Sequence, residues 1–424
     1  MVPRNGKDIG AGSLDARLRW HYSEPDVTTP MIHRRFGRTE VQMPVLSCGG
    51  MRYQHGWQDM DPADIPADGQ ANLEATIRRS LELGINHIET ARGYGSSEVQ
   101  LGQILPHLPR DEMIIQTKIG PTVTGDEFRK IAETSMNKLQ LDHVDLLSIH
   151  GINNDEALGR TLKKGGSLEA VQHLRDEGVS RFIGFSTHGP TDVILTAIET
   201  GAFDYINLHW YYFDQHNAAM IDAARKQDMG VFIISPTDKG GKLYEPPAKL
   251  VELCDPLTPM AFNDLFCLAR PDVHTLSIGA ARPSDFDAHL AALPYLSDPE
   301  ATLRPILERL EAALVEKVGA TWAQNWRSGL PRFEHVPGQT NVYHILRLYN
   351  LAAAYDMLGY AKMRYNLLGN GDSWFPGTKV DSIDWDKLDD VIADCPVKAE
   401  IPEKLRAAHA LMNEKPEKRL SESA

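Results

Sequence analysis

Between residues 32 and 293, short β-rich apolar runs alternate with stretches whose apolar positions recur every three to four residues. The runs are 43–51, 85–91, 112–119, 143–151, 181–189, 204–213, 229–236 and 273–281. They are almost continuously apolar, as strands are when helices cover both faces. Between the first two, Leu73, Ile77 and Leu81 mark one side of a helix that Gly84 stops. Eight strand–helix units in about 250 residues predict an α/β chain closed as a (β/α)8 TIM barrel. A doubly wound sheet is the competing arrangement, but eight units is many for it and no G-x-G-x-x-G follows the first run.

The flanks read differently. Residues 1–31 form a polar extension, and residues 36–47 read as a β-hairpin around Arg38 and Thr39 that plugs the bottom of the barrel. The loop Tyr53–Gly69, rich in Asp, Pro and Gly, follows the first strand and is expected at the catalytic face as a substrate lid or a surface loop. Residues 294–424 are mainly helical in pattern and read as a separate domain.

Composition narrows the function. The chain has 424 residues with 44 Lys and Arg against 58 Asp and Glu, a net charge of -14. That acidity argues against a nucleic-acid partner. No apolar stretch is long enough to span a membrane and no secretory signal is visible, so the expected location is cytoplasmic. The cysteines at 48, 254, 267 and 395 form no C-x-x-C pair, which fits a reducing compartment and excludes a thiolate metal site.

The C-terminal domain contains a hidden repeat. Leu330-Pro331 and, four residues on, Val336-Pro337 are echoed by Cys395-Pro396 and Ile401-Pro402. Upstream, Ala320, Ala323 and Trp326 correspond to Trp385, Leu388 and Val391. The spacing is that of a two-cluster bacterial ferredoxin, C-x2-C-x2-C-x3-C-P, with only Cys395 left as a thiolate. A degenerate ferredoxin-like module without an iron–sulfur cluster is expected, its cluster spaces filled by apolar side chains.

Four ionisable residues fall at or just beyond the ends of successive strands: Glu89, Tyr94, Lys118 and His150. Barrel geometry aims all of them at one pocket. A phenol alone is a poor acid near neutrality, and an adjacent ammonium is expected to lower its pKa toward the working pH, with a carboxylate keeping that ammonium charged.

These residues carry a family resemblance. The segment INHIETARGYGSSEVQLG is similar to the D-T-A-x-x-Y-G-x-S-E-x-x-L-G signature of the aldo-keto reductase superfamily, and IIQTKIG, DLLSIHG, IGFSTH, IISPTDKGGKL and SIGAARPSDF resemble its later segments in order. The likeness runs from about Arg34 to Leu293, and the helical domain resembles the subgroup with a ferredoxin-like module after the barrel. It implies an enzyme that reduces an aldehyde or ketone, sugar-like substrates included, with Tyr94 as general acid, Lys118 as activator and His150 as orienter of the carbonyl. Glu89 stands where the family has Asp, so the Lys pairing is expected to survive with altered geometry.

For the cofactor the resemblance implies NADP(H), with NAD(H) as the alternative. Gly50, Met51, Ser186 and Asn207 would line the nicotinamide, with Thr187 beside them and Trp210 or Tyr211 stacking on the ring. Ser235, Pro236, Lys239 and Gly241 would line the pyrophosphate. Gly279, Ala281, Arg282, Asp285 and His289 would hold the adenosine phosphate, Arg282 gripping a 2′-phosphate that Asp285 would repel. The expected partner is a small-molecule carbonyl substrate, and a homo-oligomer is compatible with the sequence. A nucleotide-binding barrel with a regulatory or scaffolding role is the second reading.

Overall fold

The structure, a computed structural model, describes residues 30–419 and 422. The N-terminal extension expected over 1–31 lies almost wholly outside them. The first elements are an antiparallel hairpin, β1 (His33–Arg35) and β2 (Gln42–Pro44), joined through a 3-10 turn at Gly37–Thr39. Phe36 at that turn is fully buried and packs on Tyr205 at 5.7 Å and on His274 at 5.6 Å, closing the bottom of the barrel as expected.

Eight parallel strands follow: β3 (Leu46–Gly49), β4 (His87–Glu89), β5 (Ile114–Ile119), β6 (Val144–His150), β7 (Ser180–Ser186), β8 (Tyr205–Leu208), β9 (Gly230–Ile233) and β10 (Thr275–Ile278). They close into one barrel, β10 pairing with β3. The run expected as one strand over 43–51 divides at Val45, its first residues belonging to the hairpin and the rest to the barrel.

Outward residues such as Cys48, Ile88, Ile115, Leu147, Ile206 and Ile233 form an apolar layer under the surrounding helices. The interior is more polar. Ser47 bonds His87 and Thr275, each at 2.7 Å, while Tyr205 meets Ser148 at 2.9 Å. Gly184 makes room for Tyr205, since a Cβ there would stand 2.5 Å from its ring.

The C-terminal region is mainly helical, with helices Pro299–Val318, Val342–Tyr355, Leu358–Leu367 and Ile401–Met412. They bury Leu310, Trp322, Ile345 and Leu405 in a second core. That core continues into the barrel's outer layer through Leu250, Phe262 and Leu265. No helix among the described residues is long and apolar enough to cross a membrane.

Candidate active site

Successive side chains of a strand point to opposite faces, so each strand end sends one residue inward at the mouth of the barrel. These are Gly49, Glu89, Lys118, His150, Ser186, Asn207, Ile234 and Ser277. The Lys118 ammonium contacts the Glu89 carboxylate, the two side chains being 1% and 3% exposed. Ser277 donates to Glu89 at 3.1 Å, and Lys118 Nζ also donates to the Thr90 carbonyl at 2.9 Å. The extra methylene of Glu89 therefore leaves the pair intact.

Tyr94 lies on the turn after β4. Gly95 beside it has φ +52 and fits under the strand-1 loop so closely that a Cβ would stand 2.0 Å from the Gly56 carbonyl. That loop is pinned at the mouth, with Ser96 N donating to Gly56 O at 3.0 Å and His55 N to Gln100 Oε1 at 2.8 Å. Its final residues start the helix Ala67–Glu82. Lys118 Nζ donates to Tyr94 Oη at 3.5 Å, and the Tyr94 and His150 rings meet edge-on at 5.6 Å.

Electrostatics correct one expectation. Burial pushes the Tyr94 phenol up from its ordinary value, and pushes the Lys118 ammonium down. The reason is desolvation, which penalises the phenolate and the ammonium alike. Tyr94 thus holds its proton. Burial, with Lys118 and Lys239 adding to it, takes His150 down to about 3, so its ring is neutral near pH 7.

The remaining candidates divide. Ser186 Oγ accepts from Gly151 N at 3.1 Å, leaving its hydroxyl hydrogen for another partner. Asn207 is fully buried and neither atom of its amide has a partner. Thr187 is already satisfied, donating to Ile152 O at 2.7 Å and accepting from Gly189 N at 2.9 Å. Gly50 packs against the strand backbone, where a Cβ would lie 2.5 Å from Glu89 O, and Met51 is half-buried beside it.

Trp210 does not reach the mouth. It is three residues from inward-facing Asn207, and so turns outward, stacked on Phe266 at 5.0 Å under Arg270. Tyr211 is fully buried, and its hydroxyl donates to the Ile234 carbonyl at 3.1 Å. The inward platform beside Asn207 is Ile234, which the aromatic run concealed.

The loop after β9 carries half-buried Ser235 with φ +52, buried Pro236, and Gly241 with φ +127 against Met357. Lys239 leaves this loop toward His188, at 2.7 Å, and His209, at 3.3 Å. After β10, Gly279 O accepts from Tyr244 Oη at 3.1 Å, while Ala281 N donates to Asp285 Oδ2 at 2.9 Å. Arg282 is exposed and meets the other Asp285 oxygen at 3.1 Å. Asp285 thus ties the loop internally. His289 is fully buried, paired with Asp264 at 2.5 Å and 6.3 Å from the Tyr244 ring, so it does not stand open to an adenosine phosphate.

The ceiling of the site comes from the C-terminal region. Trp374 meets His150 at 5.1 Å and His188 at 4.8 Å, edge-on to both. Sequence reasoning missed Trp374, which lies 224 positions beyond His150 with no motif around it.

Residues 45–246 match the model of the aldo/keto reductase family. The chain is 28% identical over 278 residues to L-galactose dehydrogenase of Arabidopsis thaliana, covering 55% of this chain and 84% of that one. It is 24% identical over 289 residues to the NADH-specific methylglyoxal reductase of Escherichia coli, covering 56% and 87%. Among solved structures, aldo-keto reductase AKR11C1 from Bacillus halodurans in its holo form is similar with a TM-score of 0.55, at 21% identity over 66% of this chain and 96% of that one. An aldo-keto reductase from Klebsiella pneumoniae in complex with NADPH gives 0.51, at 19% identity over 65% and 96%. The closed eight-stranded barrel is the fold this chain shares with those structures, and its residues 45–246 are similar to the aldo/keto reductase family.

Proposed function

We propose that this enzyme reduces the carbonyl group of a small aldehyde or ketone with NADP(H), Tyr94 donating the proton to the carbonyl oxygen. The observation that carries the reading is the convergence of Tyr94, Lys118 and His150 at one mouth beside an orphaned amide, Asn207. A buried amide without partners costs free energy until something pairs with it, and a nicotinamide carboxamide offers both a donor and an acceptor. Ser186 would add a hydroxyl to the same group, and Ile234 would form an apolar floor in place of an aromatic one. The bound nicotinamide supplies the hydride.

The chain's own residues manage the proton and the developing charge. Burial keeps the Tyr94 phenol protonated until an alkoxide forms nearby, and Lys118 donates to the same oxygen, offsetting charge there. His150, neutral, donates to the carbonyl and orients it. Trp374 excludes water above the site.

The cofactor preference rests on the loop after β10. Asp285 spends both oxygens on Ala281 and Arg282, so it is less of an obstacle to a 2′-phosphate than its charge suggests, and Arg282 stays exposed. This favours NADP(H) over NAD(H), as in the Klebsiella relative; the Escherichia coli relative is named for NADH. The regulatory reading would draw on the substitution at Glu89 and on the residues of the adenosine loop, and the contact of Glu89 with Lys118 weakens the first of these.

Within the same proposal, residues 32–293 are the reductase domain, and 294–424 a ferredoxin-type module that carries no cluster. Contact between the two halves of its repeat supports this: a Cβ at Gly329 would stand 2.7 Å from Asp394 O and 3.3 Å from the Cys395 Cα. Leu388 and Cys395 are buried in the second core. Ala320 is exposed, however, so the apolar filling is incomplete.

The test is Tyr94→Phe. NADPH affinity by calorimetry is expected to be unchanged while carbonyl turnover falls roughly 10²- to 10⁴-fold, the usual weight of a general acid. Turnover retained by the variant would reject the assignment.

A further inference from the structure

A cavity of about 520 Å³ opens between the ends of β7, β8 and β9 and the C-terminal region. Neither Tyr94, Lys118 nor His150 lines it. In a chain of net charge -14, its walls hold five Lys and Arg against two Asp and Glu. Arg332, Arg347 and Arg364 among these cations are ion-paired, to Asp192, Asp214 and Asp238.

Lys239 differs. Its Nζ bonds only imidazoles, His188 at 2.7 Å and His209 at 3.3 Å, and no carboxylate oxygen lies within 4 Å of it among the described residues. The two rings are 3.0 Å apart at nearest nitrogens. Burial, followed by the Lys239 charge, holds both imidazoles well below the usual histidine range, so they are no counter-ions. Burial, with the Arg364 charge adding to it, pushes Lys239 itself below the usual lysine range, so an ammonium held here among neutral rings is short of one negative charge.

We propose that this cavity binds the carboxylate or phosphate group of a small molecule, with Lys239 as its counter-charge. Only one side chain separates it from the mouth of the barrel, since Trp374 touches both His188 and His150. The anion is therefore either the far end of the carbonyl substrate or a separate small anion. The first source rests on the reductase reading; the binding site itself does not.

The test is calorimetric titration of the full chain with inorganic phosphate and with acetate, at constant ionic strength in chloride, with NADPH absent and then saturating. Lys239→Gln is expected to weaken binding at least tenfold, and Lys239→Arg to restore most of it. No heat from either anion overturns the proposal, as does unchanged affinity in Lys239→Gln. Loss of phosphate binding on saturation with NADPH also overturns it, because the site would then be the cofactor's own. If Lys239→Gln does not fold, the wild type decides: phosphate must raise its thermal midpoint above that in chloride, and equal midpoints reject the site.

The source is read with 4-carboxybenzaldehyde and benzaldehyde. A KM raised by Lys239→Gln for the first alone assigns the cavity to the substrate's anionic end. Phosphate binding lost, with KM changed to the same extent for both aldehydes, assigns it to a separate anion. If the wild type reduces no aldehyde, the reductase reading fails, and the phosphate titration still judges the site.

Discussion

The Trp374 indole stands edge-on to the His150 imidazole, 5.1 Å between ring centres, although the two side chains belong to different halves of the chain. It is carried by a loop tied at its neck, where Gly369 N donates to Gly377 O at 2.8 Å. Trp374→Ala removes the ceiling of the site. An aromatic pair contributes about 0.5–1.5 kcal/mol beyond its buried area, so kcat/KM for an aromatic aldehyde is expected to fall roughly two- to tenfold. A short aliphatic aldehyde should be little affected. Equal loss for both would show that Trp374 acts on the fold instead.

The Glu89–Lys118 pair has a sharper signature. Glu89→Gln leaves a buried ammonium without its counter-charge, which costs roughly 3–5 kcal/mol where both partners are fully desolvated. The double variant Glu89→Gln, Lys118→Met removes the stranded charge. It is expected to be more stable than Glu89→Gln alone in denaturant unfolding. If the two variants unfold together, the pair carries no such coupling.

Acid stability follows from the histidines. Burial, the largest cause in each case, takes His87, His150 and His344 down to about 3 from an ordinary value near 6.5. Between those values the unfolded chain binds more protons than the folded one. Stability is therefore full above about pH 6.5 and lost as pH falls toward 3. The denaturant midpoint should be level from pH 7 to 8 and already falling between 6.5 and 5, above the range where carboxylates titrate. A midpoint unchanged down to pH 5 would contradict the neutral, buried state of these rings.

Truncation after Leu293 tests how far the barrel stands alone. It removes Tyr343, which donates to Asp214 at 2.8 Å, and Arg347, which donates to the Phe213 carbonyl at 3.1 Å. Burial works against the Asp214 charge, yet Arg347 and His216 more than offset it and hold the carboxyl well below its usual range. Without Arg347 that charge is poorly compensated, and Leu250, Phe262 and Leu265 lose their cover. The truncated chain is expected to aggregate or melt at markedly lower temperature. A soluble barrel with unchanged kinetics would show that the helical region is dispensable.

The barrel is readable because its outward positions are mostly apolar, with Thr117, Asp145 and Arg181 as exceptions, and because Glu89, Lys118 and His150 lie at strand ends. The errors have physical causes. Trp210 was assigned by likeness of the aromatic run, although its odd separation from Asn207 already put it on the opposite face. His289 was placed by position after β10, and a short helical turn directs it inward to Asp264. The lowered pKa expected for Tyr94 follows from pairing it with Lys118, but desolvation outweighs that ammonium. Trp374 and the Lys239 cluster depend on packing between distant segments, which no local pattern encodes.

The shared second core gives the Trp374 loop a wider meaning. Tyr94, Lys118 and His150 rise from the ends of the barrel strands, whereas Trp374 is followed by Phe375 of the second core, which also reaches the barrel helices. A substitution deep in the helical region, far from Tyr94, is therefore expected to reach the mouth of the barrel through Trp374. If the reductase reading holds, selectivity is set partly from a place that has no part in bond making.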